Sequence, residues 1–325
     1  MSCTCSPQSL DGLVSSWGAL RHLKWDSPFV LPRWLKVWWQ ELGSGADEYV
    51  REVTEDGNVI GIAALQINEG IASFIGGADV TDYLDFVVAP GKEQAFFSAV
   101  LDDLNRQGVR EFHLESLRHD SLAMTSLVDL ARGRGYGVSC TLEDVSLELD
   151  LPGTWDEYLE MLAPKQRGEV KRKLRRLNEA GDVQYRAAEG GGSLQAVMDL
   201  FLDQLRQSRE DKAAFMTERM ERFFRSMAVT MAEANLLRFG ILELDARPVA
   251  VVMCFDYNES VYLYNSGYDT RYSSLSVGLL SKVLSIKDSI ERGKKRYDFL
   301  KGAEEYKYRL GGREIPIYGC RMCLK

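Results

Sequence analysis

The sequence predicts an α/β chain made of two tandem copies of one domain, each a mixed, mostly antiparallel sheet with flanking helices. Three observations carry this. Apolar residues alternate in some stretches and recur at helical spacing in others, so strands and helices are both present. At 325 residues the chain is long for a single domain, since domains usually run to roughly 100–150 residues. The order of elements also repeats: "DGNVIGIAALQINEGIASFIGGAD", a helix and "GVREFHLE" correspond to "DARPVAVVMCFDYNESVYLYNSGYD", a helix and "GKKRYDFLK". Gly108 and Gly293 lie 185 positions apart and Asp79 and Asp269 lie 190 apart, a drift of only five residues across four elements.

The chain opens with two amphipathic helices. Leu10, Leu13, Trp17 and Leu20 have helical spacing, and "PRWLKVWWQELG" starts at Pro32 and stops at Gly43. Their tryptophans (Trp17, Trp34, Trp38, Trp39) are expected to pack. Strands follow at 48–55, 58–67, 71–76 and 83–88, with "EDGN" as an Asp-Gly hairpin turn between the first two. Helix 91–107, strand 110–115, helix 121–133 and strand 138–149 complete the first copy, taken as residues 1–150. "LPGT" at 151–154 is the joint, and residues 151–325 form the second copy. There the helical stretch 154–179 precedes a short strand at 183–187 and helices at 193–209 and 217–233. Strands at 236–244, 247–257 and 260–268, helix 275–292, strand 295–300 and a terminal strand end the chain.

Composition narrows the function. Hydrophobic residues make up 45% and charged residues 27%, so each copy has enough apolar side chains for a core. No apolar run approaches the roughly 18 residues of a membrane span, and the first twenty residues lack a signal-peptide pattern, so a cytoplasmic protein is expected. A net charge of −8 opposes nucleic-acid binding through the overall field. Cys140 and Cys254 sit among strand-like apolar residues and are read as core side chains. Cys3, Cys5, Cys320 and Cys323 match zinc-ligand spacing poorly and are expected to be free thiols, with no metal site.

One joint attracts attention because an open α/β sheet binds ligands beyond the carboxyl ends of its strands. "GYDTRYSSLSVGLLSK" links strand 260–268 to helix 275–292, and Gly278 in the first helical turn leaves the backbone open to close approach. Such a helix start is an anion site, with Arg271 and Lys282 as reinforcement. Alternatively, Ser273, Ser274 or Ser276 only caps the helix.

Together "SPFVLPRWLKVWWQELG", "LAPKQRGEVKRKLRRLNEAG", "ARPVAVVMCFDYNESVYLYNSGYDTRYSSLSVGLL" and "YDFLKGAEEYKYRLGG" resemble the tandem GNAT-fold acyltransferases called BioF2-like or cellulose-biosynthesis-protein (CelD)-like, relatives of the Fem peptidyltransferases. The resemblance spans roughly residues 25 to 312, and the last two motifs are the specific ones. It implies transfer of an acyl group from acyl-CoA (acetyl-CoA or longer) to an amine, or of an aminoacyl group from tRNA as in the Fem branch. The acceptor would be a small molecule or a cell-envelope precursor. The joint keeps Arg271 and Gly278 but lacks the Gln/Arg-x-x-Gly-x-Gly/Ala pattern of simpler acetyltransferases.

Direct transfer needs positioning, a polarised carbonyl and a proton for the leaving group, and the sequence offers no nucleophile elbow. Ser266 to Tyr268 are expected to offer backbone N–H groups to the donor carbonyl. Ser266, Tyr268, Arg271, Ser274, Ser276, Val277 and Gly278 are expected to form the donor site. Asp298 accepts a proton or orients the amine, or else only pairs locally. The resemblance implies that Tyr306 or Tyr308 protonates the leaving group, and Lys307 is expected instead to hold a phosphate or the oxyanion. Seven Lys or Arg residues lie between Lys165 and Arg176, opposed only by Glu169. Arg167 in that helix, and Arg209, are the expected contacts to a phosphorylated acceptor or donor. The first copy lacks a counterpart of "KGAEEYKYRLG" and is expected to be a degenerate wall of the acceptor cleft, leaving catalysis to the second. A third reading is a non-catalytic binding module that keeps only the fold.

Overall fold

The computed structural model describes residues 3–43, 45–189 and 194–324. The chain divides into two compact units, Met1–Asp144 with Ile315–Lys325, and Val145–Glu314.

In the first unit, β1 (Cys3–Gln8), α1 (Leu10–Ser15), α2 (Trp17–Leu20) and α3 (Pro32–Leu42) precede β2 (Asp47–Glu55), β3 (Asn58–Asn68), β4 (Ile71–Phe74) and β5 (Val87–Val88). Then come α4 (Glu93–Arg106), β6 (Glu111–Arg118), a π-helical turn over Ala123–Leu127, α5 (Val128–Gly133) and β7 (Gly137–Asp150), which ends in the second unit. β1 was not expected, because "CTCSPQ" shows no apolar alternation; it pairs antiparallel with β2 from Cys3↔Glu55 to Gln8↔Val50. β2, β3 and β4 form an antiparallel meander, and β4 runs parallel to β6. The crossover α4 buries Phe96, Phe97, Val100, Leu101 and Leu104 on that sheet.

The second unit repeats the plan. It contains α6 (Trp155–Met161), α7 (Pro164–Glu179), β8 (Val183–Glu189), α8 (Leu194–Ser208), α9 (Glu210–Phe215), α10 (Glu218–Glu233), β9 (Leu237–Leu244), β10 (Arg247–Tyr257) and β11 (Ser260–Tyr268). A 3₁₀ turn (Thr270–Leu275), α11 (Val277–Glu291), β12 (Arg296–Lys301), α12 (Glu305–Arg309) and β13 (Arg313–Cys323) follow. The expected helix 154–179 is broken between Met161 and Pro164. A Thr154–Glu157 capping box starts α6, and Pro164, which lacks a backbone N–H, starts α7. Residue 193, the expected start of the next helix, lies outside the described residues.

Within this unit β8, β9, β10 and β11 are antiparallel neighbours, and β11 runs parallel to β12. Leu280, Val283, Ile286 and Ile290 of α11 face the core, each contributing about 1.5–3 kcal/mol by burial. On the same helix Ser281, Ser285 and Ser289 are buried, and the small Ser285 accepts a hydrogen bond from Tyr297 at 2.9 Å. Cys254 lies in this core, as expected.

Two features depart from the sequence reading. The joint expected at 150/151 is displaced: β7 residues from Ser146 on pair with β12, whereas β13 from Ile317 on pairs with β6 of the first unit. The terminal strand is therefore not part of the second unit, because β6 supplies its hydrogen-bonding edge. Cys140, expected as a simple core side chain, and Cys320, expected as a free thiol, are likewise not so. They form a disulfide across 180 positions, which the adjacency of β7 and β13 makes possible. Cys3, Cys5, Cys254 and Cys323 are free. Among the described residues, no helix is long and apolar enough to cross a membrane, and no group of three or more His, Cys, Asp or Glu could hold a metal.

Candidate active site

The site begins with a parting of strands. β12 follows β11 only over Arg296–Asp298, opposite Ser260–Tyr262. A bulge between Asp298 and Lys301 then turns it away, with Leu300 at φ 62°. A positive φ is unfavourable for leucine, so something must hold it. Asp298, only 1% exposed, accepts the Leu300 N–H at 2.7 Å. Lys307, 2% exposed, donates to the carbonyls of Leu300 (3.0 Å), Lys301 (2.5 Å) and Gly302 (3.0 Å) and pairs with Glu304 at 2.9 Å. The expected proton acceptor and phosphate or oxyanion group are thus buried braces of the strand's exit. Neither lines the cavity.

Beyond Tyr262, β11 keeps its pairing with β10 as far as Ala250↔Tyr268. At the edge turned from β10, side chains stand in for the departed strand. Asn265 Oδ1 accepts the Ser266 N–H at 2.8 Å, and Lys212 Nζ donates to the Ser266 carbonyl at 2.6 Å and to Asn265 Oδ1 at 3.0 Å. The Ser266 N–H expected to meet the donor carbonyl therefore already has an acceptor. Gly267 lets α8 lie directly over the strand, since a Cβ there would fall 2.4 Å from the Leu205 nitrogen.

A cavity of about 280 Å³ opens at this point. Its walls come from the end of α8 and α9 (Ser208, Arg209, Lys212), from Ser266 and Tyr268, from the 3₁₀ turn and the start of α11 (Ser273, Ser276 to Leu279, Lys282), and from Glu304 and Tyr306. Ser276 is left-handed (φ 59°, ψ 32°) and makes no side-chain cap, so capping is not its role. The N–H groups of the 3₁₀ turn are used within it, Tyr272 to the Asp269 carbonyl and Ser276 to the Ser273 carbonyl, so the positive end of α11 is offered by its own first turn. Val277 and Gly278 present the first-turn backbone. A Cβ on Gly278 would come 2.7 Å from the Tyr268 ring, so any larger residue presses into the cavity wall.

The cavity is electrostatically unusual. Burial, then the neighbouring ammonium of Lys212, pushes Lys282 down to about 7; its Nζ donates to the Gly278 carbonyl at 2.7 Å and lies 5.0 Å over the Tyr306 ring. Burial, then Arg209, pushes Lys212 down to about 8. Burial, then Glu304, holds Tyr306 well above its ordinary range, so the phenol stays protonated. Arg209 is bound by both oxygens of Asp211, at 2.9 and 2.7 Å.

Of the residues expected from sequence, Ser266, Tyr268, Ser276, Val277, Gly278, Tyr306 and Arg209 line this one cavity. Arg271 and Ser274 do not: Ser274 is exposed, and the exposed Arg271 is tied to Asp269 at 2.6 Å. Tyr308 donates to Glu314 at 2.5 Å, off the cavity. Arg167 lies on α7, which packs against the 3₁₀ turn but does not reach the lining. Lys212 and Glu304 were missed, because each sits in a charge-rich run with no pattern to single it out.

Residues 164–308 match the Acetyltransferase (GNAT) domain family. No curated protein matches the chain. Among solved structures, FemX aligns with TM-score 0.64 and 9% identity, over 97% of this chain and 96% of that one. A conserved protein of unknown function from Bacteroides thetaiotaomicron aligns with TM-score 0.65 and 12% identity, over 99% and 100%. A tandem GNAT protein from the clavulanic acid biosynthesis pathway gives TM-score 0.51 and 12% identity, over 98% of each chain. At these identities the likeness is one of fold, and the match to the acetyltransferase (GNAT) domain covers residues 164–308.

Proposed function

We propose that this tandem GNAT-fold chain, with an acetyltransferase (GNAT) domain at residues 164–308, is an N-acyltransferase that moves an acyl group from acyl-CoA directly to an amine. The observation that carries this reading is the cavity itself. It joins an anion-binding helix start, a parted strand edge and the protonated Tyr306 in one space. The donor's phosphates would rest on the N–H groups at Val277 and Gly278, and its thioester would lie beside the edge of β11 that β12 leaves. Tyr306 would give its proton to the departing thiolate. Lys282, which burial pushes down to about 7, would take the surplus proton of the attacking amine. A direct mechanism of this kind needs no covalent enzyme intermediate.

Aminoacyl-tRNA as donor is the second reading, and one observation favours it. Among the described residues Lys165, Lys171, Arg172 and Arg176 are exposed on α7 and make no ion pair, and α7 packs against the Thr270–Leu275 turn beside the cavity. A thermal-shift panel with acetyl-CoA, a long-chain acyl-CoA and a charged tRNA tests the two. Stabilisation by a CoA thioester that resists added salt supports the first. A shift seen only with tRNA and lost steeply with salt supports the second, since counterion release dominates such binding. No shift with any donor would overturn both.

A further inference from the structure

We propose that Lys212 is a catalytic residue that holds the negative charge developing on the donor's carbonyl oxygen. The inference rests on the acyl-transfer reading above and deepens it. In a parted-strand site the expected group for this task is a backbone N–H on the strand edge, but the one at Ser266 is taken by Asn265 Oδ1. The donor standing at that place is the Lys212 ammonium. Two of its three N–H groups are fixed by the Ser266 carbonyl and Asn265 Oδ1, which leaves the third for the cavity that Lys212 lines.

The surrounding charges agree with this role. The groups facing Lys212 are Arg209 and Asp211 beside it, Glu304 ahead of α12, Lys282 on α11 and Tyr306 on α12. Arg209 is bound to Asp211, and Glu304 to Lys307. Lys212 makes no ion pair among the described residues, so its charge is left for a ligand. Burial without a counterion makes an ammonium costly, and a preorganised charge of this kind is worth most where it meets charge that appears only in the transition state.

The step balances as follows. The acceptor nitrogen bonds to the carbonyl carbon, and the C=O pair moves onto oxygen beside the Lys212 ammonium. When that pair returns, the carbon–sulfur bond breaks, and the thiolate takes the bonding pair and then the Tyr306 proton. The surplus amine proton passes to Lys282, and bulk water resets both groups.

The test uses the full chain, acetyl-CoA as donor and hydroxylamine as the smallest amine acceptor, with donor binding measured separately by calorimetry. Lys212→Met is expected to lower kcat by roughly 10²–10³-fold while donor affinity stays within about threefold. Wild-type kcat is expected to fall above pH 8, as Lys212 loses its proton. Lys212→Arg, which keeps the charge, should retain part of the activity and move that fall to higher pH. If Lys212→Met keeps its kcat, or loses donor binding and kcat together with an unchanged pH profile in Lys212→Arg, the residue is only a strut and the proposal is overturned. If the wild type binds acetyl-CoA and acylates no amine, the acyl-transfer reading fails first and takes this one with it.

Discussion

The Asp298 carboxylate accepts the Leu300 N–H at 2.7 Å, and that contact holds the left-handed turn by which β12 leaves β11. A buried carboxylate committed in this way shapes the cavity without facing it. Asp298→Asn keeps an acceptor and should fold with a small loss, whereas Asp298→Ala leaves the Leu300 N–H unsatisfied and should cost about 1–3 kcal/mol in denaturant titration. A reactive role would instead make Asp298→Asn catalytically dead at wild-type stability.

Tyr306→Phe removes the phenol proposed as proton donor and leaves the ring that underlies Lys282. The expected result is a kcat reduced roughly 10²–10⁴-fold with donor binding retained, read by steady-state kinetics and calorimetry.

Lys282 gives a pH signature in stability. Its folded pKa of about 7 lies below the ordinary lysine value of 10.5, so the folded state is penalised wherever the unfolded chain holds the proton more readily. The penalty is full below about pH 7 and fades as pH rises toward 10.5. Lys282→Met should therefore raise Tm most at or below pH 7, and the gain should shrink through that window. A gain independent of pH would show that Lys282 carries no such penalty.

Much of this architecture is legible in the sequence, and the reasons for the rest are physical. The repeat of meander, crossover helix and parallel strand shows in periodicity and in the Gly108/Gly293 spacing, since those features are local. The helix start at Ser276 to Gly278 shows for the same reason. Strand adjacency does not: nothing near Cys140 or Cys320 says that β7 and β13 are neighbours, nor that β13 pairs with β6. Side-chain direction is equally hidden. "YDFLKGAEEYKYRLGG" holds Asp298, Tyr306 and Lys307, yet only Tyr306 reaches the cavity, because the bulge after Asp298 and the carbonyls around Lys307 turn the other two inward. Lys212 lies 54 residues before its β11 partner Ser266 and closes the site by bonding to that strand.

The disulfide predicts a redox-dependent stability. Cys140→Ser, or reduction of the wild type, should cost about 2–4 kcal/mol. Non-reducing peptide mapping should recover the Cys140 and Cys320 peptides joined, and unlinked peptides at undiminished stability would contradict the pairing.

The central claim is that the donor is held at the start of α11, and Gly278→Val tests it most directly. The added side chain meets the Tyr268 ring at the cavity wall, while the helix start has no need of glycine's conformational freedom. Calorimetric titration with acetyl-CoA should show tight, saturable binding to the wild type and at least about tenfold weaker binding to Gly278→Val, a loss of roughly 1.4 kcal/mol, at near-native Tm. Equal affinity in the two proteins would place the donor elsewhere and contradict the account.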